Sequence, residues 1–250
     1  MSLTDRLEYA AMKARHKNVL RPWYKKWWGI LFLVVAGLAF IYLIASLFYV
    51  INQIQAIRSG QAQVDLAAQT RIYQAAVTGA GGDYTYGTSS PQVTIVEFGD
   101  FACPFCAQSA TGARAMMIKY KDKVRFIYRD YPLHENSIDL AMAARCAGEQ
   151  GQDKFWEIYD YFFAHQTNLA DTGDALKTKL LNVASDLKLD LAQFNNCFST
   201  KKYLDNIGRG FSDGETLQIK GTPTWFVNYY PITGYLTGDK LSELVGGLIK

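Results

Sequence analysis

Residues Trp27 through Ile51 form a run of 25 positions without Asp, Glu, Lys, Arg or His. Every face of a helix built from this run is apolar, and at about 1.5 Å per residue it exceeds the roughly 30 Å hydrocarbon core of a bilayer. The pattern predicts a membrane-spanning helix. A buried core helix rarely stays uncharged on all faces over such a length. The apolar region of a cleaved signal peptide is shorter, about 7–15 residues, and ends at a small-residue site. Here Ala45-Ser46-Leu47 leads into more apolar sequence. Before the run, Leu3, Leu7, Ala10, Ala11 and Ala14 have helical spacing with charges between them, which predicts a short surface helix that ends by Pro22. After it, Ile54, Ile57, Val64, Ala68, Ile72 and Ala75 make a thin apolar stripe through a polar, Gln/Ala-rich stretch. This predicts a helix from Asn52 to Val77, continuing or restarting, as a spacer or a packing arm. Gly79 to Ser90 reads as flexible connection.

The pattern changes after Pro91. Val93, Ile95, Val96 and Phe98 form a short β-rich run, Cys103 to Tyr120 has helical composition, and Lys123 to Arg129 alternates with Val124, Phe126 and Tyr128 on one side. A β-α-β unit is expected. From about Glu135 to Lys202 the chain reads as helical, with breaks at Gly148–Gly151 and Asp171–Asp174, while Gly208, Gly210 and Gly214 argue against a long helix between Gly208 and Lys220. Thr224–Val227 reads as a strand, Tyr229–Leu236 as its partner through a short turn, and Asp239–Leu248 as a closing helix capped from Thr237 or Asp239. The fold class is thus α/β, with four segments: a head at 1–26, a transmembrane helix at 27–51, a helical spacer and linker at 52–90, and a domain at 91–250 with a helical insertion at about 135–205.

Charge adds direction. Met1–Lys26 carries seven basic residues against Asp5 and Glu8, a net of +5, whereas the far flank of the apolar run offers only Arg58 before Asp65. That asymmetry predicts a cytoplasmic N-terminus and an extracytoplasmic remainder, with Trp23, Trp27 and Trp28 in the interfacial belt. Since the chain's net charge is +3, the part beyond the head is −2, which argues against a nucleic-acid partner. All four cysteines (Cys103, Cys106, Cys146, Cys197) follow the apolar run, where an oxidising exterior permits disulfides.

Cys103-Pro104-Phe105-Cys106 stands at the expected strand-to-helix junction. At a helix N-terminus, unpaired N–H groups and the dipole favour thiolate, so Cys103 is the candidate nucleophile. Cys106, about one turn further in, is the candidate resolving thiol and the more buried of the two. A structural zinc site is the rival reading, but it needs four ligands, and no second close pair follows; His16, His134 and His165 are isolated, so no metal and no catalytic histidine is assigned. Gly221-Thr222-Pro223 immediately precedes a β-rich run, where proline marks a strand's beginning. A cis bond there would let Thr222 backbone groups face the dithiol and pair with an extended substrate; an ordinary trans proline is the alternative. Alternation puts Glu97 on one face with Val93 and Ile95, so that a buried carboxylate could relay a proton to or from Cys106; a solvent-facing or salt-bridged edge residue is the other reading. Asp100 reads as a loop or cap group. Phe155, Trp156, Tyr159, Tyr161, Phe162 and Phe163 make an aromatic-dense helix, mostly core. Cys146 and Cys197 both fall in the helical region; if paired, they close a loop of 51 positions worth roughly 4 kcal/mol, and if not they are separate buried thiols.

The segment Val96-Glu97-Phe98-Gly99-Asp100-Phe101-Ala102-Cys103-Pro104-Phe105-Cys106, taken with Tyr128-Arg129-Asp130-Tyr131-Pro132-Leu133 and Gly221-Thr222-Pro223-Thr224-Trp225-Phe226, resembles the thioredoxin-fold family of DsbA-like disulfide oxidoreductases, especially its membrane-tethered branch, over approximately Pro91 to Lys250. The resemblance implies a thioredoxin core with an inserted helical domain, Cys103 as nucleophile, Cys106 as resolving partner, a cis Pro223 beside them, and an acid at Glu97. Some tethered relatives carry a pair like Cys146 and Cys197. It further implies substrate contact through Thr222, Pro223, Pro104 and Phe105, oxidation of reduced exported or surface proteins, and recharging by a membrane quinone-linked thiol oxidase, with no bound cofactor. Pro104-Phe105 departs from the Pro-His of the best-known members, removing one source of thiolate stabilisation. A reductase or isomerase using the same cysteines and a non-catalytic interaction module are the competing functions.

Overall fold

The computed structural model describes residues 2–17, 23–58, 61–79 and 81–249. Pro22, read as a helix breaker, lies outside them. The chain divides into two compact units, Met1–Ala67 and Ala68–Lys250.

The first unit holds α1 (Leu3–Lys17), α2 (Trp27–Arg58) and the start of α3 (Gln61–Thr78). Among the described residues α2 is the one helix long and apolar enough to cross a membrane, over Trp27–Gln55. Its large side chains, Leu38, Phe40 and Tyr42 among them, are exposed. The helix does not stop at Ile51 but runs to Arg58, so the polar stretch begins as its continuation, and α3 starts afresh at Gln61.

The second unit is built on a five-stranded sheet. In chain order its elements are β1 (Tyr84–Gly87), β2 (Val93–Gly99), α4 (Pro104–Lys119), β3 (Val124–Asp130), α5 (Ser137–Gly148), α6 (Gln152–Ala164), α7 (Gly173–Asp186), α8 (Leu191–Ser199), α9 (Leu204–Thr216), β4 (Thr224–Val227), β5 (Tyr230–Thr233) and α10 (Gly238–Leu248). The strand order is β1-β3-β2-β4-β5; β2 and β3 are parallel across α4, and the other pairings are antiparallel. This is the thioredoxin fold, with α5 to α8 inserted between the β-α-β unit and the closing hairpin.

Strand alternation separates two cores. Val93, Ile95, Phe126, Tyr128 and Trp225 face one side, against α4, the aromatic helix α6 and α10. Val96, Phe98, Ile127 and Phe226 face the other, against Val77, Tyr131 and Ile219. Val77 is 1% exposed, so the end of α3 is a packing arm of this core and not a bare spacer.

Two local readings of the sequence fail for identifiable reasons. The stretch taken as flexible connection contains β1, which pairs antiparallel with β3; Tyr84 stacks on Phe155 at 3.9 Å and Tyr86 meets Trp156 edge-on. Gly87 reads as a loop residue but is a strand end: it holds φ +100°, and a Cβ there would lie 2.1 Å from the Val124 carbonyl oxygen. The second miss is α9, an unbroken helix across Gly208, Gly210 and Gly214. A Cβ on Gly210 would meet the Asp130 carbonyl oxygen at 2.4 Å, and one on Gly214 the Tyr131 ring at 2.5 Å, so these glycines let the helix lie close against β3 and do not break it. The closing helix is capped by the Thr237 hydroxyl, which accepts from the Lys240 N–H at 3.2 Å.

Candidate active site

Helix α4 begins where β2 ends, and the turn between them is fixed from several directions. The Asp100 carboxylate, buried, accepts from the Ala102 N–H through Oδ1 and from the Leu133 N–H through Oδ2, both at 2.8 Å. Its carbonyl accepts from the Cys103 N–H at 3.0 Å. From the far side of the insertion, Gln166 Nε2 donates to the carbonyls of Phe101 and Cys103, each at 2.9 Å. Cys103 is thereby held at the N-cap of α4 in extended conformation, with Pro104 in the first turn, where its missing N–H costs no hydrogen bond.

Both cysteines of the junction are free thiols. Cys106 is fully buried, while Cys103 keeps 4% exposure beside the exposed Pro104 and Phe105. The Cys103 thiol donates to the Thr222 carbonyl at 3.3 Å, and the Thr222–Pro223 peptide is cis. The Thr222 hydroxyl is buried without a partner beside the thiol and is available to the Cys103 thiolate. The two thiols differ sharply in acidity. A hydrogen bond from Cys106 brings Cys103 down to about 5 against the opposing effect of burial, helped by hydrogen bonds from Thr222 and from the Cys106 and Phe105 N–H groups. Burial pushes Cys106 well above the ordinary thiol value, and proximity to Cys103 and Glu97 adds to it.

Glu97 lies in the sheet between Tyr128 on β3 and Trp225 on β4 and is fully buried. Burial raises its pKa to about 8, partly offset by a hydrogen bond from the Tyr159 hydroxyl at 3.2 Å. Its Oε1 and the Tyr128 hydroxyl are buried without partners. A carboxyl in this state is a neutral acid near neutral pH, able to give or take one proton.

The remaining cysteines are joined. Cys146 on α5 and Cys197 on α8 form a disulfide with Cα atoms 5.7 Å apart. Next to it, Arg145 pairs with Asp130 at 2.5 Å and Asp83 at 2.8 Å, and Arg129 with Asp213 at 2.5 Å, a buried ion network that ties the segment before β1 to the sheet. Among the described residues no group of three or more His, Cys, Asp or Glu side chains is placed to hold a metal.

One arrangement escaped the sequence. His134, isolated in the chain, follows β3 and places Nδ1 2.7 Å from Asp100 Oδ2, 34 positions away. The imidazole and Pro104 line the same groove of about 310 Å³, with Ala102, Leu140, Gln166 and Ala170. No local spacing signals such a pair.

A thioredoxin family model matches residues 79–246 of the chain. Among curated proteins, the Na(+)/H(+) antiporter NhaA 1 of Salinispora arenicola is 34% identical over 149 residues, which cover 58% of this chain and 22% of that protein. NhaA 1 of Mycobacterium sp. strain KMS is 30% identical over 151 residues, covering 58% and 23%. The chain thus spans about a fifth of the length of the curated relatives it matches. Among solved structures, the thiol-disulfide exchange protein alpha-DsbA2 from Wolbachia pipientis aligns over 72% of this chain and 94% of its own at a TM-score of 0.63 and 18% identity. BdbD from Bacillus subtilis aligns over 67% and 92% at 0.58 and 21%. A thioredoxin-like oxidoreductase from Silicibacter pomeroyi aligns over 69% and 95% at 0.58 and 24%. These likenesses are of fold, and the fold is that of thioredoxin with a helical insertion.

Proposed function

Because the chain belongs to the thioredoxin family, we propose that its Cys103–Cys106 pair carries out thiol–disulfide exchange, introducing disulfides into reduced exported or surface proteins. The observation that carries this reading is the acidity gap between two adjacent thiols at one helix N-terminus, one at about 5 and the other raised by burial.

In the oxidised enzyme a substrate thiolate attacks Cys103 Sγ, the Cys103–Cys106 bond breaks, and Cys106 leaves as a thiolate. Glu97 supplies its proton. A second substrate thiolate then attacks the substrate sulfur of the mixed disulfide and expels Cys103, whose stability as a thiolate makes it a good leaving group. Two electrons have passed from the substrate dithiol to the enzyme pair. The exposed Pro104 and Phe105 and the cis Thr222–Pro223 peptide are the substrate-contact surface on this reading. A membrane quinone-linked thiol oxidase, acting on the dithiol, returns the pair to the disulfide.

Helix α2 serves as the anchor, with residues 1–26 in the cytoplasm and the thioredoxin-like unit outside; the +5 charge of the head and the exposed apolar surface of α2 support this orientation. The test is a trap. Cys106→Ala should arrest Cys103 in mixed disulfides with exported proteins, visible as reductant-sensitive adducts, and a chain that traps nothing under mildly oxidising conditions would refute the proposal.

A further inference from the structure

Asp100 holds two backbone N–H groups and also one edge of an imidazole that stands 44% exposed at a groove beside Pro104. An ionised carboxylate only accepts hydrogen bonds, so the His134 nitrogen facing it, Nδ1, carries the proton. In the neutral ring the lone pair is then on Nε2, the edge opposite Asp100, in a side chain that is 44% exposed. The placement is rigid: the His134 N–H donates to Ser137 Oγ at 3.0 Å, its carbonyl accepts from the Ser137 N–H at 3.2 Å, and Asn136 Nδ2 donates to the Leu169 carbonyl at 2.7 Å. Gln166, on the other wall, grips the Cys103 carbonyl at 2.9 Å. A groove that runs from this imidazole to the first residue after Cys103 is where the chain flanking an incoming cysteine would lie.

We propose that His134, oriented by Asp100, is the base that deprotonates the incoming substrate thiol, an inference that rests on the thiol–disulfide exchange reading above. The proton balance closes. The substrate S–H proton moves to His134 Nε2, the resulting thiolate attacks Cys103 Sγ, the Cys103–Cys106 bond breaks, and the Cys106 thiolate takes its proton from Glu97; His134 then returns its proton to solvent. The enzyme's own nucleophile needs no such help, because Cys103 ionises by itself. The substrate thiol does: with an ordinary pKa of about 8.5, only about 1% of it is thiolate at pH 6.5, so a local base can raise the reactive fraction by up to about 100-fold. Phe105, which stands where an ionisable side chain between the cysteines would be, supplies no proton acceptor, and His134 supplies one from the neighbouring loop. Among the described residues, Asp100 from the β2–α4 turn is the ionisable group in contact with the imidazole, and Glu135 and Asp139 follow it in the chain.

The test compares wild type, His134→Asn and His134→Ala as full-length oxidised chains in detergent, mixed with a short peptide carrying two cysteines, with the reduction rate followed from pH 6 to pH 9. Both variants should react about 10–100-fold more slowly at pH 6.5 and match wild type at pH 9, where the peptide ionises unaided. Free imidazole should restore part of the rate in His134→Ala, while the Cys103 titration and the equilibrium with glutathione stay where they are in wild type. Equal rates at pH 6.5, a deficit that persists at pH 9, or a moved glutathione equilibrium would overturn the base role. A wild-type chain that fails to react with the peptide at any pH takes down the exchange reading and this inference together, whereas a competent wild type with unaltered variants removes only His134.

Discussion

The two cysteine pairs are almost equally hidden and chemically opposite. Cys103 and Cys106 are 4% and 0% exposed, Cys146 and Cys197 0% and 2%. The first pair sits at the start of α4, where the Cys106 thiol above all, then the Thr222 side chain and backbone N–H groups, outweigh burial and bring one sulfur down to about 5. The second pair bridges the bodies of α5 and α8 as a disulfide, with Cys146 between the buried Arg145 and Ala147 and neither sulfur at a helix N-terminus. Burial alone therefore does not decide whether a thiol is reactive or inert. Position relative to a helix terminus and to an open groove does.

The largest expected effect breaks the comparison at its reactive end. Cys103→Ser should reduce dithiol oxidation to the uncatalysed background, measured with a reduced peptide, while the folded structure is retained. Replacing Cys146 and Cys197 together by alanine should do the reverse, preserving exchange by the folded protein and lowering its stability to urea by roughly 4 kcal/mol. Loss of exchange in that double variant would mean that the second pair belongs to the redox path.

Glu97 sharpens the contrast through pH. Its folded pKa of about 8 lies above its free value of 4.5, so the folded chain keeps a proton that the unfolded chain releases. The stability this group contributes is full below about pH 4.5 and declines as pH rises toward about 8. Glu97→Gln removes the decline: its melting temperature should equal that of wild type near pH 4.5 and exceed it by several degrees at pH 8. The smallest effect is at Thr222→Val, which deletes a hydroxyl that the thiolate can use and should raise the Cys103 midpoint by roughly one unit.

Much of the reactive region was readable in the chain because its signals are local or ordered. Cys103-Pro104-Phe105-Cys106 is contiguous, Gly221-Thr222-Pro223 leads directly into a strand, and alternation alone placed Glu97 on the face of Val93 and Ile95. What was illegible depends on partners far away. Tyr84 and Tyr86 make a strand only because β3 and the rings of Phe155 and Trp156 are there to receive them. The α9 glycines read as breakers because the groups that require them, Asp130 at Gly210 and Tyr131 at Gly214, belong to another part of the chain. His134 acquires a partner only when the β2–α4 turn brings Asp100 beside it. Periodicity reports which face of an element is buried; it does not report what covers that face.

The central claim is that the α4 terminus singles out one sulfur, and its most direct test is the titration of Cys103 by thiolate absorbance near 240 nm. The protein is taken with Cys103 and Cys106 reduced and the Cys146–Cys197 bond intact, and Cys103→Ser serves as the blank. The expected midpoint is near 5. A midpoint between about 8 and 9, the range of an ordinary cysteine, would contradict it.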